Sequence, residues 1–161
     1  AAAYNADEKE LCRLDEIYSA VKTPFEIRSG SEKVTRRFFK ICNNGRDSFT
    51  GLYKSLTEQG KCKGHQCIAY GLYMRDNGIE LSEGLAVYGY SICSAIVTNC
   101  VKLVPLSQLA GQKILGESFE LISSAAEKAL FTDINDIGIS GAGFDLRAMQ
   151  HERLYSRQYM S

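Results

Sequence analysis

Apolar side chains recur at helical spacing along almost the whole of this 161-residue chain, and strand-like alternation is nearly absent. The first stripe occupies positions i, i+3, i+4 and i+7 of one helix face, at Leu14, Ile17, Tyr18 and Val21. Only two prolines interrupt the pattern, Pro24 directly after the first stripe and Pro105 in the second half of the chain. The spacing therefore predicts an all-α fold, a single bundle of about six helices.

Two of the predicted helices define the expected core. The stretch 83–104 is apolar on almost every side, which predicts a helix in the centre of the bundle, with Ser82 as its N-cap. Pro105 ends that helix, and a sixth is predicted over about 106–130. Its expected inward positions are Ile114, Leu121, Ile122, Ala125 and Ala129.

The composition changes after residue 130. The next twenty residues are rich in Gly, Asp and Ser and show no helical stripe until their last few positions, which predicts a loop or flexible tether. The expected organisation is a helical bundle over 1–130, followed by a tether and C-terminal arm over 131–161.

Charge and composition exclude several classes of protein. Nineteen Lys and Arg residues balance nineteen Asp and Glu residues, so no overall charge attracts the chain to nucleic acid or to an anionic membrane. No apolar run approaches the roughly 20 residues of a membrane span. Neither phosphate-binding glycine motif, G-x-x-x-x-G-K-[ST] or G-x-G-x-x-G, is present. We therefore expect no membrane span, no nucleic-acid partner and no bound cofactor.

The six cysteines lie in a chain with enough Leu, Ile, Val and Phe to fold without disulfides, which indicates a reducing cytoplasm. Three possible metal ligands occur in the segment CKGHQC: Cys62, His65 and Cys67. Thiolate and imidazole groups bind zinc or nickel, but a closed structural site takes four ligands and no fourth is close in sequence. The alternative is a helix start with a packed or capping His65 and incidental cysteines. No nucleophile elbow accompanies any Cys–His pair, so we expect no catalytic residue.

The segment NCVKLVPLSQLAGQKIL joins the two helices on either side of Pro105. Lys102 lies in the last turn of the first helix, where its charge suits the negative end of the helix dipole. The polar and small residues that follow are Gln108, Gly111 and Gln112. Two interpretations stay open: a plain helix–helix corner in which Gly111 permits close packing, or a polar surface that a partner covers.

The chain ends MQHERLYSRQYMS, with side chains of the kind that fill interface pockets. Tyr155, Tyr159 and Met160 offer apolar contact, and Arg153 and Arg157 share one face of a helical turn. The segment either binds a partner or folds back on its own bundle.

Together, these two segments resemble the urease accessory protein UreF family. VKLVPLSQLAGQKIL is similar to the family's VKLVPLGQ…GQ segment, and MQHERLYSRQYMS is similar to its chain-ending HE…YSRLFRS-type segment. FEIRSGSEKVTRRFF and GHQCIAYG are weaker similarities. Thr35 stands where the family usually has glycine, and Gln158 is polar where an apolar residue is usual. The family's N-terminal Phe-Pro-x-Gly signature is missing and the chain starts without methionine, so we expect that its N-terminal helices are lacking.

The resemblance implies a non-catalytic, cytoplasmic chaperone of nickel insertion, with nickel cation binding among its properties. It implies a homodimer that joins the accessory protein UreD (also called UreH) and the GTPase UreG to activate apo-urease. The arm would bind UreD/UreH, and a surface near Lys102 and Arg157 would contact UreG. An arginine finger is a second possible role for Arg157. The alternatives are a metal-binding helical protein and a generic helical adaptor.

The partner-binding residues expected from the resemblance fall in the two segments. The central motif contributes Lys102, Pro105, Gln108, Gly111 and Gln112, and the terminal motif contributes His151, Glu152, Tyr155, Ser156 and Arg157, together with Tyr159.

Overall fold

A computed structural model of the chain describes residues 2–5, 7–42, 45, 47–138 and 141–155. Over these residues the fold is all-α, as predicted, and contains eight α-helices rather than about six. The helices are α1 (Glu8–Val21), α2 (Phe25–Ile41), α3 (Phe49–Glu58), α4 (Gln66–Asp76), α5 (Leu81–Leu103), α6 (Gln108–Glu117), α7 (Phe119–Leu130) and α8 (Ala142–His151). Two 3-10 turns, Ala2–Asn5 and Ile134–Asp136, complete the described elements.

Short polar side chains begin the helices where the sequence supplies them. Asp7 Oδ1 accepts the backbone N–H of Glu10 at 2.8 Å and caps α1, and Ser48 Oγ accepts the N–H of Gly51 at 2.9 Å and caps α3. Each cap satisfies a donor that has no partner within the first helical turn. These starts are set by local sequence alone.

Contacts between helices divide the chain into two compact units. The first comprises the described residues within 2–76 and 133–155, and the second comprises residues 77–132. The boundary near residue 130 between bundle and arm stays a prediction, although α8 contacts α2 and so belongs with the first unit.

The apolar core of the first unit lies where α1, α3 and α4 meet. The largest fully buried apolar side chains there are those of Leu11, Tyr53, Leu56 and Leu72. Leu14, predicted from the first stripe, is buried in the same core. This cluster removes apolar surface from water and supplies the main stabilisation of the unit.

A polar network is enclosed within that core. Asp15 of α1 is buried and accepts hydrogen bonds from the hydroxyl of Tyr53 (2.5 Å) and from the backbone N–H groups of Lys63 (2.6 Å) and Gly64 (3.0 Å). The backbone N–H of His65 in turn donates to the Tyr53 hydroxyl at 2.8 Å. Burial, and then the Asp15 carboxylate, raise the pKa of Tyr53 far above its ordinary value, so this hydroxyl stays protonated and donates. The network holds the α3–α4 loop on α1.

Helix α5 does not lie in the centre of a bundle, so that prediction was wrong. Within α5 only Gly84 is buried, and Val87 and Ile96 are 61% and 57% exposed. The predicted Ser82 cap was also wrong, since the helix begins at Leu81 after Glu80, which makes no side-chain capping bond. An apolar sequence favours burial of a helix, but it does not identify what the helix packs against.

The same helix also corrects the expectation about apolar runs. By length and composition Leu81–Leu103 is long and apolar enough to cross a bilayer, with a mean hydropathy of 1.4 over its best 18-residue window. Among the described residues it is a single such helix, and one helix is weak evidence because core helices of soluble proteins meet the same criteria.

The predicted sixth helix is interrupted at Ser118 and forms two helices, α6 and α7. The face that packs inward is also shifted from the predicted one: Leu115 and Ala126 are buried, whereas Leu121 is 73% exposed. Ile122 is buried as predicted. The close approach of α5 and α7 determines which face of α7 is packed. A methyl group added to Gly89 of α5 would lie only 3.1 Å from Ile122 Cγ2.

The stretch predicted to be a loop contains a helix. Ala142–His151 forms α8, which packs on α2, so helical structure begins several residues earlier than the last few positions where a stripe was expected. The glycines of this stretch stand at 138, 141 and 143, whereas Leu146 to Gln150 are good helix formers. Contact with α2 adds the tertiary stabilisation that a ten-residue helix lacks on its own.

Candidate functional site

Four of the five central-motif residues line one cavity at the corner between α5 and α6, which we call the corner cavity. It has a volume of about 400 Å³. Its lining residues are Val97, Thr98, Val101, Lys102, Gln108, Gly111 and Gln112. Pro105 is exposed in the turn between the helices and is not among the lining residues. The structure therefore brings Lys102, Gln108 and Gln112 together, with Gly111 between them.

Local sequence makes this corner sharp. Pro105 has no backbone N–H to continue the helix, and α5 ends two residues before it with Val104 as the C-cap. Ser107 then caps α6 by accepting the N–H of Ala110 at 3.1 Å. Only a few residues separate the two helices, so the last turn of α5 and the first turn of α6 face the same cavity.

Gly111 brings the two helices of the corner together. It is buried, and a Cβ atom at this position would lie 2.7 Å from Val101 Cγ2 and 3.2 Å from Val97 Cγ1. Valine side chains are β-branched and cannot rotate freely out of the way in a helix. The close-packing interpretation of Gly111 is thus correct, and a polar surface beside it is compatible with that packing.

Replacing Gly111 by alanine should lower the free energy of unfolding by about 1–3 kcal/mol, because the added methyl group forces α6 away from α5. Gly116 lies in the same helix, and a methyl group added there would meet no atom within 4 Å, so Gly116→Ala should instead stabilise by about 1 kcal/mol. Urea denaturation followed by circular dichroism measures both. Equal effects of the two substitutions would contradict the role of Gly111 in close packing.

The corner cavity combines an apolar wall with a rim of hydrogen-bond donors. Its walls are the side chains of Val97 and Val101, and its rim carries the exposed ammonium group of Lys102 and two exposed side-chain amides. An ammonium group and amide N–H groups donate hydrogen bonds to carboxylate or carbonyl oxygens. A protruding acidic or polar side chain of another polypeptide fits this combination of apolar wall and donor rim.

The start of the C-terminal arm contacts the first turn of α2. Glu152 Oε1 accepts the backbone N–H of Phe25 at 2.7 Å and that of Glu26 at 3.4 Å. His151 Nδ1 lies 2.7 Å from Glu26 Oε2. The N-cap of α2 is Pro24, which makes no side-chain capping bond. Glu152 therefore supplies, from the other end of the chain, the acceptor that α2 lacks, and its negative charge suits the positive end of the helix dipole.

The next residues of the arm leave this contact. Leu154 is 52% exposed and Tyr155 is fully exposed. Ser156, Arg157 and Tyr159, the other expected partner-binding residues of the arm, lie outside the described residues. His151 and Glu152 thus contact their own chain, whereas Tyr155 extends an aromatic ring into solvent. A partner-binding role for all of these residues stays a prediction.

Glu152→Ala should lower the free energy of unfolding by about 1 kcal/mol, because two N–H groups of α2 lose their acceptor. Trypsin should then cleave after the exposed Arg153 several-fold faster, since the segment is no longer held on α2. Gln150→Ala, an exposed position of α8, is the control and should change neither quantity. Unchanged cleavage in Glu152→Ala would show that the contact does not hold the arm.

Among the described residues, the structure does not gather the three possible metal ligands of the CKGHQC segment into a metal site. The Sγ atom of Cys62 contacts that of Cys12, and His65 Nε2 lies 2.7 Å from Ser19 Oγ. The imidazole of His65 is completely buried beside the ring of Tyr18, with 4.7 Å between centroids, and burial lowers its pKa. In the part of the chain that the structure describes, no group of three or more His, Cys, Asp or Glu side chains is placed to hold a metal. His65 is a packed residue, as the alternative interpretation predicted.

Sequence reasoning missed the residues that depend on distant contacts. Nothing in the sequence around Asp15 indicates that its side chain will be buried and will bind a loop 48 residues away. Likewise, no local signal joins Glu152 to Phe25 across 127 residues. One weak signal was available for the second pair, because a helix that starts after Pro24 has no capping side chain and needs an acceptor from elsewhere.

Comparison with known proteins supports the resemblance seen in the two motifs. The UreF family model matches residues 1–118. The urease accessory protein UreF of Actinobacillus pleuropneumoniae serotype 5b (strain L20) is 34% identical over 161 residues, which covers 99% of this chain and 71% of that protein. UreF of Arthrobacter sp. (strain FB24) is 30% identical over 155 residues, 94% of this chain and 68% of that protein. UreF of Haemophilus influenzae (strain KW20 / Rd) is 34% identical over 152 residues, 94% of this chain and 65% of that protein.

The family match covers α1 to α6, and therefore includes both the buried polar network and the corner cavity. The match to the A. pleuropneumoniae protein extends across almost the whole chain, including the start of the arm. On this evidence the chain belongs to the UreF family of urease accessory proteins.

Proposed function

We propose that this protein is a scaffold for urease maturation, which assembles with UreD/UreH and the GTPase UreG and promotes nickel insertion into apo-urease. Membership of the UreF family supports the connection with urease. The observation that carries the scaffold role is the corner cavity, where three exposed donor side chains from two helices surround a small apolar-walled recess. This arrangement supports docking of a side chain of another protein.

We assign the corner cavity to UreG and the exposed arm to UreD/UreH. Lys102 and the amides of Gln108 and Gln112 would accept an acidic or polar side chain of the GTPase. Tyr155 would insert its ring into a pocket on UreD/UreH, as aromatic side chains often do at the centre of interfaces. Ser156, Arg157 and Tyr159 would extend that second contact, with Arg157 as an interface residue.

We further propose that the protein is a homodimer in the cytoplasm. The support is the apolar surface formed by α5 and α7, which contains a groove of about 550 Å³ lined mainly by Leu, Ile, Ala and Tyr side chains. An apolar surface of this kind on a water-exposed helix pair is stabilised by burial against another polypeptide. A second copy of the chain is the occupant we favour.

The protein would perform no reaction of its own in this proposal. Nickel is the cargo of the assembly, and nickel handling is a property of the complex as a whole. His65 is buried, and burial raises the pKa of the Cys62 thiol to about 12. The His65 imidazole and the Cys62 thiol are therefore poor candidates for catalysis or for rapid metal exchange.

Charge removal at the corner tests the proposed UreG site. Lys102→Ala should weaken UreG binding by at least about tenfold, because a donor to a desolvated acidic partner is lost. Lys113→Ala is the matched control: Lys113 is an exposed lysine of α6 that does not line the cavity, and its loss should change affinity less than about twofold. Binding is measured by co-purification and calorimetry with UreD/UreH and UreG, with GTP and with GDP.

Two results would contradict the proposal at different levels. Equal affinities of the two lysine variants for UreG would show that UreG does not bind at the corner cavity, but would leave the scaffold role intact. Failure of the unmodified protein to associate with either UreD/UreH or UreG would remove the scaffold role itself.

A further inference from the structure

Two cysteines that are distant in sequence contact each other in the first unit. Cys12 lies in α1 and Cys62 lies in the α3–α4 loop, 50 residues later, and their Sγ atoms are 3.6 Å apart. Both are free thiols. A shift of well under 2 Å would bring the sulfur atoms to the bonding distance of about 2.05 Å. The described part of the fold therefore holds two thiols whose sulfur atoms are already in contact.

The two thiols differ in their access to solvent. Cys12 is half-buried and lines a surface groove of about 780 Å³, whose lining includes both acidic residues, such as Glu10 and Glu16, and basic residues, such as Arg13 and Lys61. Cys62 is almost completely buried. A small oxidant can therefore reach the sulfur of Cys12 from the groove, whereas Cys62 reacts only with a group already attached to Cys12.

We propose that Cys12 and Cys62 form an oxidisable dithiol, which a low-molecular-weight disulfide such as oxidised glutathione converts into an intramolecular disulfide. The thiolate of Cys12 attacks one sulfur of the small disulfide, forms a mixed disulfide and releases one small thiolate. The thiol of Cys62 then loses its proton to solvent, and its sulfur attacks Cys12 Sγ and displaces the second small thiolate. The chain loses two hydrogen atoms and the small disulfide is reduced to two thiols.

The buried position of Cys62 governs the rate of this conversion. Burial, the contact with Cys12 and the nearby charge of Asp15 raise the pKa of Cys62 to about 12, so little thiolate is present near neutral pH. The second step is therefore slow, and the pair stays reduced during brief oxidation. Sustained oxidation forms the Cys12–Cys62 disulfide.

The disulfide would fasten the same loop that Asp15 holds. Cys12 precedes Asp15 by three residues on α1, and Cys62 directly precedes Lys63, whose N–H donates to Asp15. Closing this long loop lowers the conformational entropy of the unfolded chain. It also keeps the α3–α4 loop beside Asp15 when their hydrogen bonds open locally. Oxidation is thus expected to stiffen the α3–α4 loop and to leave the helices in place.

The experiment treats the full chain with oxidised glutathione for several hours and maps disulfides by peptide mass spectrometry without reduction. The expected product is a peptide pair joined through Cys12 and Cys62, with a rise of about 10 °C in Tm that dithiothreitol reverses. Cys12→Ser should abolish both changes, and it replaces a half-buried residue, so the fold is retained. Cys42→Ser, at a half-buried position at the end of α2, is the control and should respond like the unmodified protein.

Three outcomes would overturn the proposal. One is a mixed disulfide that persists on Cys12 with no joined peptide pair. Another is a joined pair that uses Cys42, Cys67, Cys93 or Cys100. The third is a Cys12–Cys62 bond that leaves Tm unchanged, because the bond would then not fasten the native loop.

Discussion

Asp15→Ala is expected to lower the free energy of unfolding by about 4 kcal/mol, the largest single-residue effect on stability that we predict. The carboxylate accepts three hydrogen bonds within a buried site, from the Tyr53 hydroxyl and from the N–H groups of Lys63 and Gly64. Its removal leaves these donors without an acceptor, and each unsatisfied buried donor costs about 1–3 kcal/mol. The substitution also releases the loop that leads into α4.

Two companion variants separate the network from a general effect on α1. Tyr53→Phe removes one donor to Asp15 and the acceptor for the His65 N–H, so a loss of about 2 kcal/mol is expected. Glu16→Ala changes an exposed carboxylate next to Asp15 and should alter stability by less than about 0.5 kcal/mol. Urea denaturation followed by far-ultraviolet circular dichroism, which reports helix content, measures all three. A loss below about 1 kcal/mol for Asp15→Ala would show that the network does not stabilise the fold.

Removal of residues 153–161 is expected to weaken association with UreD/UreH at least about 100-fold, the largest effect on binding that we predict. The deletion removes the exposed Leu154 and Tyr155, and aromatic contacts buried at the centre of an interface often contribute several kcal/mol. It retains His151 and Glu152, so the contact with α2 survives and Tm should change by less than about 2 °C.

The position of the cut decides whether this experiment can be interpreted. A deletion from residue 145 would also remove most of α8 and the acceptor for the first turn of α2, so lost binding could reflect lost structure. Tyr155→Ala is the smaller change and should reduce affinity by an intermediate amount. Full retention of UreD/UreH binding by the shorter protein would disprove the assignment of the arm, whatever the corner cavity binds.

The grouping of four central-motif residues around one cavity was predictable because these residues are close in sequence. Lys102 and Gln108 lie on either side of one tight turn, and any short helix–turn–helix corner brings them together. The interior role of Gly111 was also anticipated, since a glycine in an apolar helix interior indicates close approach of another backbone or side chain. Neither result needed knowledge of the rest of the fold.

The failures share one cause, which is that apolarity and composition do not identify a neighbour. Helix α5 was predicted to be central because it is apolar all round, yet Val87 and Ile96 are mostly exposed. The stretch 131–150 was predicted to be a loop up to its last few positions, yet α8 begins at Ala142 and packs on α2. In both regions the outcome depends on which other segment packs against the helix.

Local sequence was enough to predict the helical class, the end of α1 before Pro24 and the corner at Pro105, because these depend on side chains within one or two turns of each other. Tertiary structure alone decided that Asp15 holds the α3–α4 loop, that Cys12 meets Cys62 and that Glu152 caps α2. Each of these contacts joins residues at least 48 positions apart. Such pairs form only after the apolar core has brought distant helices together, and no pattern within a single helix records which partner it will meet.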